Sequence, residues 1–299
     1  MPKTTGYSPV FPRPKALALA HQVARARSEW DAIEMISQAI DPLPVDGDWV
    51  RVGRAVIDYL KGNTNKPALQ IFMPDGNGKV PYYCWSVLPL YTCPGKGACA
   101  KHCYSLKSWK NPEAYFRQVQ NTVLSKFRKD IVRRAFLRIP KGLRVRLFVD
   151  GDFDSPRTVR FWFSCLKSRP DLRVYGYSKS WDELWQVRQH WPDNYMLNLS
   201  SSGKVRKVTL EQMLSLPRVK VRGRFVNVPI PSPLVRMGSK RYALPEYKAA
   251  VRSSAQALGL GQVFVCPGKC GTCVPTADGT GPACGDPRFA NVTIAIGTH

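Results

Sequence analysis

Acidic residues are scarce in this chain of 299 residues. Asp and Glu number 21 against 45 Lys and Arg, which gives a formal net charge of +24. No run of about 18 apolar residues occurs, so a membrane-spanning helix is not expected. Hydrophobic residues make up 44% of the chain, which excludes a basic disordered tail and indicates a globular protein. The charge predicts attraction to polyanions, with DNA or RNA ahead of acidic membranes.

Several catalytic and targeting signatures are missing as well. The sequence has no paired-carboxylate, phosphate-loop, dinucleotide-binding glycine or HExxH motif. The apolar patch at residues 16–20 is too short for the core of a signal peptide. We therefore expect a cytoplasmic protein without membrane contact. In that compartment the nine cysteines favour metal or redox chemistry over a disulfide framework.

Short apolar, β-prone segments alternate with helical segments from residue 67 onward, beginning with apolar segments at 68–73 and 82–90. This alternation predicts an α/β fold over residues 67–265, with a parallel sheet that is either open or curled into a full or partial barrel. Residues 1–66 are expected to form a helical N-terminal extension, with helices over 15–39 and 49–62. Residues 266–299 are expected to form a Cys-rich, metal-binding C-terminal appendix. Ligands of parallel sheets bind beyond the carboxyl ends of the strands, so the loops there are the candidate sites.

The first cysteine group is Cys93, Cys99 and Cys103 in TCPGKGACAKHCY, between a predicted strand and a long predicted helix. Three thiolates do not saturate a four-coordinate metal, but they can hold three irons of a [4Fe–4S] cluster and leave the fourth open. A zinc site completed by His102 or by a distant residue is the alternative.

The second group is Cys266, Cys270, Cys273 and Cys284, which is enough to close a site. Three thiolates close together and a fourth further on favour a second [4Fe–4S] cluster over zinc, and both stay open. The isolated Cys84 and Cys165 are expected to be small buried hydrophobic residues, with Cys84 as a reserve ligand.

The three-cysteine loop, the repeated strand–helix units, and the segments VDGDFDS and YGYSKS resemble the radical S-adenosylmethionine superfamily. Within it, the combination is similar to a family of phage-encoded radical-SAM-like iron–sulfur proteins without an assigned reaction. The resemblance implies a radical-SAM type of partial barrel, with the cluster on Cys93, Cys99 and Cys103 and S-adenosylmethionine as a cofactor. It implies cofactor contacts from a set of residues in the loops after the strands, namely His102, Tyr104, Gly151, Asp152, Lys179 and Ser180.

This sequence departs from the superfamily in its cysteine spacing, which is five then three residues instead of three then two. The loop therefore fits the cluster better than it fits cofactor cleavage. Ordinary turns compete with the cofactor contacts, because Asp154 or Ser155 can cap a helix that starts at Pro156, and Ser180 can cap the next one.

Two functions follow. The first is an iron–sulfur protein that, if it is an enzyme, cleaves S-adenosylmethionine reductively with electrons from a donor. The second is a non-enzymatic iron–sulfur or zinc protein that binds DNA or RNA, in the host cytoplasm if the chain is phage-encoded. Basic runs beside aromatic residues support the second, at residues 126–129 with 133–134, 204–207, 220–224 and 240–241.

Overall fold

The structure is a computed structural model that describes most of the chain. The described residues are 8–74, 82–200, 204, 207–217, 221–268, 273–276, 279–281, 283–286, 289 and 292–297. Cys270 and the side chain of His102 lie outside this described part, so their predicted roles are not addressed by it.

The chain begins with three helices, α1 (Arg13–Arg25), α2 (Glu29–Ile40) and α3 (Asp48–Lys61). A single helix over residues 15–39 was expected, and this is wrong. Ser28 starts a new helix, because its hydroxyl accepts the Asp31 amide at 3.0 Å while the Asp31 carboxylate accepts the Ser28 amide at 3.0 Å. This reciprocal capping box satisfies donors that a helix start leaves unpaired.

The described residues form a seven-stranded parallel sheet in the order β1-β2-β3-β4-β5-β9-β6. A short antiparallel hairpin, β7 with β8, stands beside it. The strands are β1 (Tyr83–Cys84), β2 (Arg144–Leu147), β3 (Arg173–Ser178), β4 (Tyr195–Ser200), β5 (Val221–Val228), β6 (Val263–Val265), β7 (Val274–Thr276), β8 (Gly279–Gly281) and β9 (Thr293–Gly297).

Helices connect the parallel strands, as the alternating pattern predicts. They are α4 (Pro112–Phe127), α5 (Lys129–Leu137), α6 (Pro156–Lys167), α7 (Trp181–Trp185), α8 (Leu210–Leu214), α9 (Ser232–Arg236) and α10 (Pro245–Ala257). Helix α6 starts as the turn chemistry indicates, with the Ser155 hydroxyl accepting the Thr158 amide and Pro156 in the first turn. The α/β class with a parallel sheet is thus confirmed. Within the described residues the sheet does not close, and its curling into a barrel of radical-SAM type stays a prediction.

Two local expectations fail. Residues 68–73 form no strand, since Met73 only bridges Cys84. The region expected to be an appendix contributes β9, which inserts between β5 and β6 in the main sheet. Residues 266–299 therefore contribute a strand to the main sheet in addition to the Cys-rich segment.

The two faces of the sheet bury different residues. Val145, Val174 and Leu197 point into a large core that also contains side chains of α1 to α6. Tyr175, one residue further along β3, packs on the opposite face against Ala283 and Cys284. The C-terminal Cys-rich segment therefore covers the middle of the face that the large helices leave open. No helix among the described residues is both long and apolar enough to cross a membrane.

Candidate metal centre

The first cysteine loop leaves the sheet beside β2. Backbone bonds continue the β1–β2 pairing past the strand, from the Trp85 amide to the Arg146 carbonyl at 3.1 Å and from the Val87 amide to the Asp150 carbonyl at 3.1 Å. The chain then turns at Cys93, whose carbonyl accepts the Lys96 amide, and forms the 3-10 turns Ala98–His102 and Tyr104–Lys110 before α4. The loop thus lies at the carboxyl edge of the sheet, where ligands of parallel sheets bind.

Two glycines fit this loop closely against the neighbouring strand ends. A Cβ at Gly95 would overlap the carbonyl group of Lys179, at the end of β3. Gly151, after β2, has φ of +79°, and a Cβ there would overlap the Val87 side chain. The Lys204 amide also donates to the Gly95 carbonyl at 2.8 Å. Contacts with the segments that follow β2, β3 and β4 therefore fix the position of the loop.

Burial raises the pKa of two of the three thiols in the loop. Burial is the main cause that raises the pKa of Cys93, and the nearby Asp152 carboxylate and Cys103 thiol raise it further, while Lys179 opposes them. Burial also raises the pKa of Cys103, against hydrogen bonds from Ser105 and Leu106. Cys99 is partly buried. Because burial favours the neutral thiol, a bound cation would have to supply the charge that makes these groups thiolates.

Asp152 is buried, with 5% of its surface exposed. Its carboxylate accepts three hydrogen bonds from within the protein, from the Phe153 amide at 2.8 Å, the Ser178 hydroxyl at 2.7 Å and the Lys179 amide at 2.8 Å. Burial raises its pKa, and these donors oppose the shift. The carboxylate thus ties the β2 exit to the end of β3. Its predicted contact with a cofactor amino group stays a prediction, as does that of Gly151.

Asp150 is a half-buried carboxylate at the same edge, and the sequence reasoning did not select it. It accepts the Gln118 side-chain amide from α4 at 3.0 Å, and its pKa is raised by burial against hydrogen bonds from the Ser105 and Ser86 hydroxyls. Its position directly after β2 was the available signal. Beside it, the Tyr104 hydroxyl donates to the Val149 carbonyl at 3.1 Å, with the ring half exposed.

Lys179 and Ser180 follow β3, as expected. The Lys179 ammonium donates to the Ser200 hydroxyl at the end of β4, at 2.6 Å. Ser180 is fully buried and precedes α7, yet its hydroxyl makes no capping bond. Among the described residues that hydroxyl has no hydrogen-bond partner. Capping of α7 therefore does not explain the presence of a serine at position 180.

The described C-terminal cysteines lie on the open face of the sheet. Cys266 follows β6, and its amide donates to the Ala295 carbonyl at 2.7 Å. The Cys273 thiol accepts the Ala283 amide at 3.2 Å, and the Cys284 carbonyl accepts the Asn198 side chain from β4 at 3.1 Å. Cys266, Cys273 and Cys284 belong to one packed cluster on this face. The structure describes three of the four members of the predicted second site, and their binding of a metal stays a prediction.

The described residues contain no group of three or more His, Cys, Asp or Glu side chains arranged to hold a single metal ion. Cys84 and Cys165 are buried as expected, and burial raises the pKa of each to about 11.

Several basic side chains on α4 and α5 donate hydrogen bonds to other groups of the protein. The Lys126 ammonium donates to the Ala24 and Ala26 carbonyls at the end of α1, at 2.7 and 2.8 Å. Arg133 donates to the Ser164 and Ser168 hydroxyls. These cations hold helices together, which reduces the number available to a nucleic acid on this surface.

Comparison with known proteins identifies a family. No curated protein and no solved structure matches the chain. The family model described as Gene product 88 matches residues 59–275, which run from the end of α3 through the first cysteine loop into β7. Since this match covers well over half of the chain, the protein belongs to the Gene product 88 family, a phage-type family.

Proposed function

We propose that this protein is an iron–sulfur protein in which Cys93, Cys99 and Cys103 hold a [4Fe–4S] cluster. The observation that carries the proposal is the position of the first cysteine loop at the carboxyl edge of the parallel sheet, where contacts with three neighbouring strand ends hold it in place. A prearranged loop lowers the entropy cost of gathering the ligands.

The donor set fits the cluster. Cubane irons take thiolate ligands, and each of three thiolates binds a different iron, so the three sulfurs need not converge on one point. A zinc ion needs a fourth ligand at the same point. His102 would have to provide it, or a residue from outside the loop. The Lys179 ammonium lies near Cys93 and would offset part of the negative charge of a cluster bound by thiolates.

The cofactor part of the proposal has weaker support than the cluster part. A cluster with an open iron can bind S-adenosylmethionine and, when reduced by an electron donor, supply the electron that cleaves it. The residues proposed to contact this cofactor are the loop residues His102, Tyr104, Gly151, Asp152, Lys179 and Ser180. Asp152 already accepts three internal hydrogen bonds. The unpartnered hydroxyl of Ser180 is the better candidate for a ligand contact.

For Cys266, Cys270, Cys273 and Cys284 we propose a second cluster or a structural zinc ion. Cys273 and Cys284 pack on the sheet face with few hydrophobic neighbours from their own segment. A metal would therefore supply much of the free energy that orders this Gly- and Pro-rich segment.

A non-enzymatic protein that binds DNA or RNA is the second candidate, and the net charge of +24 favours it. The internal use of Lys126 and Arg133 counts against the α4–α5 surface as the contact region.

Iron and sulfide analysis after anaerobic purification, with electron paramagnetic resonance of the reduced protein, tests the proposal. We expect about four irons and four sulfides per cluster. Replacing Cys93, Cys99 and Cys103 together by Ala should remove one cluster's worth of both. The matched control is Cys165→Ala, which removes a buried thiol away from the loop and should keep the iron.

A colourless protein that contains only zinc would overturn the proposal, as would equal iron content in the triple variant and wild type. Circular dichroism establishes that the triple variant is folded. If added S-adenosylmethionine leaves the spectrum of the reduced cluster unchanged, the cofactor part of the proposal is wrong and the cluster part stands.

A further inference from the structure

A concave pocket lies beside the first cysteine loop. Its volume is about 160 Å³, and the loop forms one wall with Pro94 and Gly95. The β3–α7 connection and the segment after β4 form the others. The remaining lining residues are Lys179, Trp181, Asp182, Glu183, Gln186, Lys204 and Lys207. We refer to it as the lysine pocket.

Backbone contacts build the walls of the lysine pocket. Gly95 lies flush against the Lys179 carbonyl, and its own carbonyl accepts the Lys204 amide at 2.8 Å. The Asp182 carboxylate accepts the amides of Lys207 and Val208 at 3.2 and 2.9 Å through one oxygen. These backbone bonds join the three segments to one another and fix the shape of the pocket. A preformed site loses little conformational entropy on binding.

The charges in the pocket favour an anion. Three lysines and two acidic residues line the pocket, so its formal charge balance is positive, and the Asp182 carboxylate is partly neutralised by the two backbone amides that donate to it. Lys179 is positioned by the Ser200 hydroxyl, whereas Lys204 and Lys207 are exposed at the rim. Trp181 is largely buried, so it adds little stacking surface. The pocket is therefore suited to a small, compact anion with hydrogen-bonding neighbours, more than to a flat aromatic ligand.

We infer that the lysine pocket binds the phosphate group of a nucleotide, with Lys179, Lys204 and Lys207 as its cationic contacts. A phosphate and part of its sugar fit the volume, and Gln186 offers an acceptor for a sugar hydroxyl. No lining residue is a cysteine, so the inference does not depend on which metal the cysteines hold. The nucleotide can be free or can be the end of a polynucleotide.

Calorimetric titration of the purified full chain with AMP and with adenosine, at low salt, tests the inference. We expect AMP to bind and adenosine to bind at least tenfold more weakly, since loss of an ion-paired contact costs roughly ten- to hundredfold in affinity. Lys204→Ala with Lys207→Ala should weaken AMP binding by tenfold or more. The charge-matched control, Lys167→Ala with Lys248→Ala, changes two exposed lysines on α6 and α10 and should alter binding less than twofold.

Absence of AMP binding, equal binding of AMP and adenosine, or an equal loss in the control variant would each overturn the inference. The source of the phosphate is identified with single-stranded oligonucleotides that carry a 5′-phosphate or a 5′-hydroxyl. Tighter binding of the phosphorylated oligonucleotide than of AMP supports a polynucleotide end, and equal binding supports a free nucleotide.

Discussion

A methyl group at Gly95 should displace the first cysteine loop without unfolding the protein. In Gly95→Ala the added Cβ would overlap the carbonyl carbon and oxygen of Lys179. Both are backbone atoms, so no change of side-chain rotamer relieves the overlap. Either the loop or the end of β3 has to move, and the loop is the easier of the two because β3 is paired on both sides.

The size of the effect follows from the contact. Inserting a methyl group into a packed site typically costs about 1–3 kcal/mol. Movement of the loop also strains the bond from the Lys204 amide to the Gly95 carbonyl, which is worth about 1 kcal/mol. We therefore expect a loss of about 2–4 kcal/mol in the free energy of unfolding. Because the displacement separates Cys93 from Lys179 and Asp152, we also expect lower metal occupancy.

Hydrogen exchange measured by mass spectrometry, together with metal analysis, tests this reasoning. Amides of residues 93–105 should exchange faster in Gly95→Ala, while those of β3 and β4 stay protected. Gly142→Ala is the control, because its Cβ meets nothing within 4 Å and its φ of +74° costs about 1–2 kcal/mol from backbone strain alone. Unchanged exchange in the loop of Gly95→Ala, or the same change in both variants, would refute the reasoning.

Three other predictions concern different parts of the molecule. Lys126→Met should lower the free energy of unfolding by about 1–3 kcal/mol, because two carbonyls at the end of α1 lose a charged donor. Urea denaturation measures this loss, with Lys167→Met as the control variant. Equal urea midpoints for the two variants would contradict the prediction. Cys84 and Cys165 have pKa values of about 11, so iodoacetamide at pH 8 should modify them only after unfolding, and prompt native labelling found by mass spectrometry would argue against their burial. Chelation of the metal that we propose at the C-terminal cysteines should expose the aromatic face of the sheet and increase binding of a hydrophobic dye, and no increase would mean that the segment folds without metal.

The sequence predicts the central architecture because its signals there are local. Alternation of apolar segments with helices indicates a parallel sheet, and the turn after β2 contains its own helix start at Ser155 and Pro156. The break between α1 and α2 was also readable, since Ser28 and Asp31 have the spacing of a capping box. The helical periodicity on both sides concealed that break.

The position of β9 could not be predicted in the same way. Its five residues follow a Cys- and Gly-rich segment, and no short-range pattern specifies that they insert between β5 and β6. Strand order is a property of the whole sheet, set by which edges are free when the last strand arrives. The predicted appendix, residues 266–299, therefore included β9, which belongs to the main sheet.

The candidate site, too, was only partly predictable from local sequence patterns. The spacing of Cys93, Cys99 and Cys103 placed them in a loop after a strand, and the structure agrees. The donors to the Asp152 carboxylate come from the end of β3, from Lys179 just after it and from the neighbouring Phe153, and no local sequence pattern indicates these bonds. The partners of Asp150 are likewise distant in sequence, because Gln118 comes from α4 and Ser105 from the 3-10 turn that precedes it.

Total charge is a weaker guide to function than the position of each cation. Lys126 and Arg133 belong to the most basic run of the sequence, yet both have partners within the protein. Lys204 and Lys207 belong to a shorter run, and backbone hydrogen bonds hold both residues where they line the pocket beside the first cysteine loop. Gly95 belongs to both the pocket and the loop. A phosphate bound in the lysine pocket would therefore lie against the same backbone segment that positions Cys93. Binding at the pocket and at the cysteine loop would then be coupled through Gly95.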